Sequence, residues 1–229
     1  MPPTAPLNGA DLAWMMTSTA LVLLMTPALG FFYGGMVGTK NVLNTILMSF
    51  ATLGYCLVAW ALFGYSLAFS PGNAFVGDFR WAFLQGVDLA GSQPLGPSIA
   101  HVIYMAFQAT FAIITTALVS GAIVSRMRIK AYLLFITLWV IVIYGPIAHW
   151  VWGGGWLGKF GALDYAGGTV VHVNAGVAAL AAALVLGNRT NYGRQAFLPG
   201  NVPYTLLGAG MLWFGWFGFN GGSALASNQ

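Results

Sequence analysis

Charge is what this sequence has least of. Its 229 residues include 8 Lys and Arg and 4 acids, 5% charged in all, where a soluble domain carries about 25%. So few polar groups cannot cover a water-soluble globule. The net charge of +4 is spread between apolar runs rather than gathered into a basic patch, which excludes a nucleic-acid partner. Cysteine is nearly missing too: Cys56 stands alone inside an apolar run, has no partner for an internal disulfide, and reads as a small packing residue. The opening MPPTAPLNGAD has no basic cluster, so a cleavable signal peptide is not expected. The apolar runs also lack the alternation that a membrane β-barrel needs.

What fills the chain is apolar: 59% of residues are hydrophobic and the mean hydropathy is +0.79. The uncharged runs fall at Leu12–Val37, Val42–Phe69, Ile99–Ser125, Ala131–Trp152, Tyr165–Leu186 and Tyr204–Ala226. Each suffices for a tilted membrane span, since about 20 residues at a rise of about 1.5 Å cross the hydrocarbon. The predicted fold is therefore all-α, a polytopic membrane helix bundle of six transmembrane helices forming one domain over residues 1–229, with the lipid bilayer as its solvent.

The few charges orient it. Lys40, Arg126, Arg128, Lys130, Arg189 and Arg194 lie in turns on one side; Arg80, Lys159 and all the acids, Asp11, Asp78, Asp88 and Asp164, lie on the other. Short cytoplasmic loops collect Lys and Arg, so the N-terminus is expected outside. The one-sided acids favour a cation there. Gly30, Gly34 and Gly38, and the Ala and Gly run from Ala175 to Ala183, are expected to be packing faces. Gly153, Gly154 and Gly155 should turn the chain, and Pro146 should kink the fourth helix near its outer end.

Three histidines mark candidate sites. His172 follows Asp164 by two turns of helix and should lie about 7 residues, roughly 10 Å, below the outer surface. An imidazole there serves either a pore or proton relay or a single interhelical hydrogen bond. Gly168, Gly176, Ala179 and Ala183 share its side and leave room beside it. His101 and His149, near helix ends, read as structural groups reaching interfacial water. In the sixth segment Trp216, Phe219 and Ser223 step along one face, with Phe219 at a depth similar to His172. Trp152 and Asp164 come to the same outer end. An aromatic ring and a hydroxyl can hold a small cation; an ordinary aromatic belt at the interface explains the same rings.

The strings ALVLLMTPALGFFYGGMV, GYSLAF, HWVWGGG, DYAGGTVVHVNAG and WFGWFGFNGGSA resemble the ammonium transporter (Amt/Mep/Rh) family, in its bacterial Amt branch. The resemblance implies that Trp152 and Ser223, with Phe107 beside them, form an outer recruitment site for ammonium or methylammonium. It further implies that Phe111 and Phe219 are stacked gate rings, that His172 is the first of two pore histidines, and that Asp164 supports the site from behind. Counting places Phe111 deeper than the mouth, so its helix must start late or tilt. Ammonium would lose water at the recruitment site, pass the gate, and give up its proton near His172.

The same resemblance implies an eleven-helix fold of two inverted five-helix repeats and a last helix, assembled as a trimer and met by a cytoplasmic regulatory protein, with no cofactor. The chain would then cover about the N-terminal half, and a half pore is expected not to conduct alone. Family members usually carry an acid before the third-loop arginine, where this chain reads Val124-Ser125-Arg126, and its first loop, Gly38-Thr39-Lys40, has one basic residue. A different inner surface is the expected consequence. The rival readings are an ammonium sensor built on the same vestibule and a membrane enzyme or haem protein using His101, His149 and His172.

Overall fold

The computed structural model describes residues 6–190 and 192–228. Six long helices make the bundle: α1 (Gly9–Met36), α2 (Thr39–Phe69), α3 (His101–Ile123), α4 (Ile129–Lys159, unwound briefly after Val151), α5 (Gly168–Leu186) and α6 (Val202–Gly222). The first five are long and apolar enough to cross a membrane. Helix α6 has 21 residues, about 31 Å of rise, but its glycines, Asn220 and indoles dilute its hydropathy. Two short antiparallel strands, β1 (Ser92–Gln93) and β2 (Gly96–Ala100), lead into α3.

The helices run alternately up and down, which gives the bundle two chemically different ends. At one, Arg126 Nη1 donates to Gly187 O (2.7 Å) and Gly200 N to Val37 O (2.7 Å), joining the loops that carry most of the basic residues. At the other, Asn8 caps α1, Asp11 Oδ1 accepts from Ser227 N (2.8 Å), and Ser66 donates to Asp78 O (2.7 Å). All four acids sit at this second end. There the guanidinium of Arg80, 2.9 Å from Asp78, holds that carboxyl below the usual carboxylate range.

Small residues set the helix spacing. Helix α6 lies against α1 so closely that a Cβ on Gly208 would fall 2.3 Å from Phe32 N, and one on Gly215 would fall 2.3 Å from Met25 Cγ. Without a hydrophobic drive between helices in lipid, such close backbone approach is what holds them. The glycines expected as a packing face divide: Gly30 and Gly34 meet Ser49 and Ile46 of α2, whereas Gly38 lies beyond the end of α1 and meets nothing. Gly35, overlooked in the repeat, takes its place against Thr205 and Asn201. On α5 only one side packs, through Ala175, Ala178 and Ala182; Gly176 meets nothing, and Val177, Leu180 and Leu184 are exposed.

Three wide π-helical turns interrupt the spans, at Trp60–Gly64, Val140–Tyr144 and Gly168–Val173. The second lies just before Pro146. Proline has no N–H to offer and its ring crowds the carbonyl four residues back, and a widened turn relieves both problems. The expected break in α4 is thus present as a π turn, and the chain then reverses at Gly153–Gly155, where Gly154 adopts φ +86°.

Candidate functional site

The site is built around α3, whose residues are buried along nearly the whole helix. It starts at His101 rather than 99 because β2 occupies the preceding residues. That start, two residues later than the apolar run, moves Phe111 about 3 Å nearer the helix end. Phe107 and Phe111, one turn apart, lie with ring centroids 4.9 Å apart. Phe111 stacks on Phe219 of α6 at 4.3 Å and 24°, and both rings are 1% exposed.

Above this stack is a cavity of about 350 Å³ lined by Tyr104, Phe107, Gln108, Phe111, Trp152, Asp164 and Ser223, among others. Its polar groups are oriented by the backbone. Trp152 Nε1 donates to Asp164 O (2.7 Å), which fixes the indole edge, and Phe111 meets the indole edge to face at 6.0 Å. Ser223, the residue that ends α6, donates its hydroxyl to Phe219 O (2.8 Å). With its proton so used, the Ser223 oxygen is left to accept. Beside the stack an open groove, also about 350 Å³, is lined by Leu163, Asp164, Thr169, His172, Trp216, Phe219 and Asn220. His172 lies parallel to the Trp216 indole (5.8 Å, 10°) and 6.0 Å from Phe219.

The carboxylate of Asp164 does not point at a ligand. Its Oδ1 accepts from Gly167 N (2.5 Å) and Gly168 N (2.9 Å), and its Oδ2 from Thr169 N (2.8 Å) and Val170 N (2.9 Å). These are the amides that a helix N-terminus leaves unpaired, and negative charge is favoured there. Helix α5 therefore begins at Gly168, three residues later than the apolar run suggests, and His172 lies four residues along it, about 6 Å by helix rise rather than 10. Gly167 makes the entry possible: at φ +95°, with a Cβ position 2.5 Å from Val171 Cγ2 and 3.7 Å from Phe219 Cζ, it has no room for a side chain.

The other two histidines are structural, for a reason other than the expected one. Neither reaches interfacial water: His101 is 5% and His149 1% exposed. His101 Nε2 lies 2.7 Å from Tyr65 Oη, with Trp81 edge-on at 4.6 Å. The ring nitrogens of His149 lie 3.0 Å from Ala68 O and 2.9 Å from Asn73 O, tying α4 to the last turn of α2 and to the loop after it. One further residue enters the site that residue types alone did not single out. Gln108 Oε1 is buried without a hydrogen-bond partner beside the upper cavity; its signal was an amide in mid-helix next to Phe107. Trp216 was visible three residues before Phe219, but its stacking on His172 depends on how α5 and α6 meet.

Helices of bilayer length, alternating in direction and sorting their charges by end, define a multi-pass α-helical membrane protein with an aromatic-lined cavity beside a pair of stacked rings. The chain belongs to the Ammonium Transporter Family, whose sequence profile matches residues 13–229. It is 52% identical to an ammonium transporter of Bacillus subtilis over 94% of this chain and 52% of that one, and 44% identical to ammonium transporter Amt1 of Archaeoglobus fulgidus over 97% and 55%. Among solved structures it is similar to Mep2 of Candida albicans (TM-score 0.89, 36% identity, covering 96% of this chain and 50% of that one). It is also similar to a protein described as a sensor Amt protein (TM-score 0.85, 29% identity, 96% and 56%). The chain spans about half the length of the curated relatives it matches.

Proposed function

We propose that this chain supplies one half of an ammonium-conducting pore, with the acidic end outward. The observation that carries the reading is the Phe111–Phe219 stack, which has a cavity suited to a cation beside Phe111 and the His172 groove beside Phe219. Above the stack, the Trp152 and Phe107 rings offer their π faces and Ser223 an acceptor oxygen. A cation–π contact contributes about 1–2 kcal/mol and a charged hydrogen bond about 1.5–3. That is enough to concentrate ammonium and too little to offset the tens of kcal/mol that a bare ion faces in a medium of low dielectric. The ion, already stripped of much of its water, therefore gives up its proton where it meets the His172 imidazole beside the rings. The ring nitrogen accepts it as desolvation favours the neutral amine. The smaller neutral molecule passes rings that a hydrated ion cannot. Asp164 holds the start of α5 in place and touches no substrate.

The face of α5 that bears His172 is open: His172, Gly168 and Gly176 are exposed, and neither glycine meets a neighbouring atom. A pore needs a second wall there, so the chain alone does not conduct. In the complete transporter the wall is the inverted second repeat with its own pore histidine, and the assembly is a trimer open to a cytoplasmic regulator. The test is methylammonium uptake in a transporter-null cell, comparing this chain with the same gene read through to its natural stop. Uptake by the longer product only, abolished in His172→Ala, supports the reading; uptake by the short chain sinks the half-pore argument. The likeness to a sensor Amt protein favours one alternative, in which the same vestibule detects ammonium. Ammonium binding without uptake in the longer product would select it.

A further inference from the structure

The basic end of the bundle holds a cavity of about 370 Å³ between α1, α3 and the loop from α5 to α6, lined by Tyr33, Ser125, Arg126, Asn188, Arg189 and Phe197, among others. It plays no part in the proposed pore path. Two guanidinium groups line it, and none of the chain's four acids lies at this end. The only ion pair among the described residues, Asp78–Arg80, is at the opposite end.

The cavity has fixed walls. Tyr33 is wedged against Gly121, where a Cβ would fall 2.7 Å from its ring, and Tyr33 Oη donates to Leu118 O (3.2 Å). Arg126 reaches out of α3 to donate to Gly187 O (2.7 Å) and, from its second terminal nitrogen, to Ala122 O. Arg189 lies over the Phe197 ring at 3.9 Å and near Tyr192 at 5.6 Å. The rings fix the plane of its guanidinium without using its N–H groups in hydrogen bonds. Between the arginines, Ser125 stands at φ +64°, and its Oγ is buried with no hydrogen-bond partner. A buried hydroxyl without a partner is costly unless something accepts from it, and the N–H groups of Arg126 not used by Gly187 O and Ala122 O stand beside it with those of Arg189.

We infer that this cavity is an anion site for a phosphate group, either free or in the headgroup of an anionic lipid, gripped by Arg126 and Arg189 with Ser125 Oγ donating to it. Guanidinium forks match phosphate oxygens, and a donor hydroxyl completes the set. This site is independent of the pore reading: it needs neither ammonium nor the missing wall.

The experiment measures phosphate-bearing ligands on the purified protein in neutral detergent. Native mass spectrometry counts bound phosphatidylglycerol, phosphatidylcholine and diacylglycerol, and calorimetry titrates inorganic phosphate. The expected result is retention of phosphatidylglycerol over the zwitterionic and neutral lipids, or saturable phosphate binding. Either should weaken about tenfold in Arg189→Gln, the loss of one charge-assisted contact, and in Ser125→Glu, which places a negative charge in the same space. Lipid retention without phosphate binding assigns the site to the headgroup; phosphate binding that displaces no lipid assigns it to the free ion. Ser125→Ala, which leaves both charges and the fold untouched, should weaken either ligand less. Equal affinity of wild type, Arg189→Gln and Ser125→Glu, each shown folded by circular dichroism, overturns the inference, as does binding of neither ligand.

Discussion

Asp164→Asn separates two roles that a carboxylate at a cation vestibule can play. The aspartate pairs four amides, two on each oxygen. Asparagine keeps one acceptor oxygen and turns an NH2 toward the other two amides, so two hydrogen bonds become two facing donors, and the negative charge at the start of α5 is lost. Each charge-assisted bond counts about 1–2 kcal/mol here, where water can partly replace it, and the expected destabilisation is about 2–4 kcal/mol. Reversible unfolding in mixed micelles measures this directly, and methylammonium uptake is read on the same longer gene product. The expected outcome is a loss of stability and of maximal uptake per cell, with half-saturation of the surviving folded protein changed by less than about threefold, under 0.7 kcal/mol. Unchanged stability combined with a tenfold weaker half-saturation would mean that the carboxylate binds the cation itself, and the account of α5 would be wrong.

Other substitutions probe the same region. Gly167→Ala forces a Cβ into a φ +95° backbone 2.5 Å from Val171 Cγ2 and should cost about 2–3 kcal/mol, read by the same unfolding assay. Phe219→Ala removes a ring that is 1% exposed; a loss of about 3–5 kcal/mol and abolished uptake are expected, with Phe219→Leu recovering stability but not uptake. Ser223→Ala deletes the acceptor above the stack and should raise the half-saturation about threefold to tenfold, while Ser223→Thr, which keeps the hydroxyl, should leave it near wild type in concentration-dependent uptake.

The spans were legible because hydrophobic length is a property of composition, and a bilayer forgives errors of two or three residues at either end. The ends were not legible, since each depends on a contact from elsewhere in the chain. Helix α3 starts late because β1 and β2 consume the residues before it, and α5 starts late because Asp164 reaches forward to cap it. The glycine repeat failed at Gly38 for a related reason: spacing says which residues share a face, but not where the helix beneath them stops. Candidate residues with unusual chemistry, Trp152, Asp164, His172 and Ser223, stood out from the apolar background. Phe219 stood out by sharing a face with Trp216 and Ser223, whereas Phe107 and Phe111 did not, because a phenyl ring in a membrane helix is unremarked until its partner is known; the family resemblance supplied that. Gln108 and Trp216 acquire meaning only from the cavities they line.

The vestibule, the stack and the histidine are mechanically one object, and the loop before α5 makes them so. Asp164 O anchors the Trp152 indole, the Asp164 carboxylate fixes the first turn of α5, Gly167 leaves its Cβ space to the Phe219 ring, and His172 follows one turn later. A helix start in this position would ordinarily satisfy its free amides with water. Water held there would stand beside the stacked rings and hydrate any ion approaching them, which opposes the desolvation on which selection by proton loss depends. Using a carboxylate for the amides instead fills the hydrogen-bonding positions that water would take and leaves negative charge at this end of the bundle. A buried apolar helix start would fail on the unpaired amides, and a solvated one on the wet lumen.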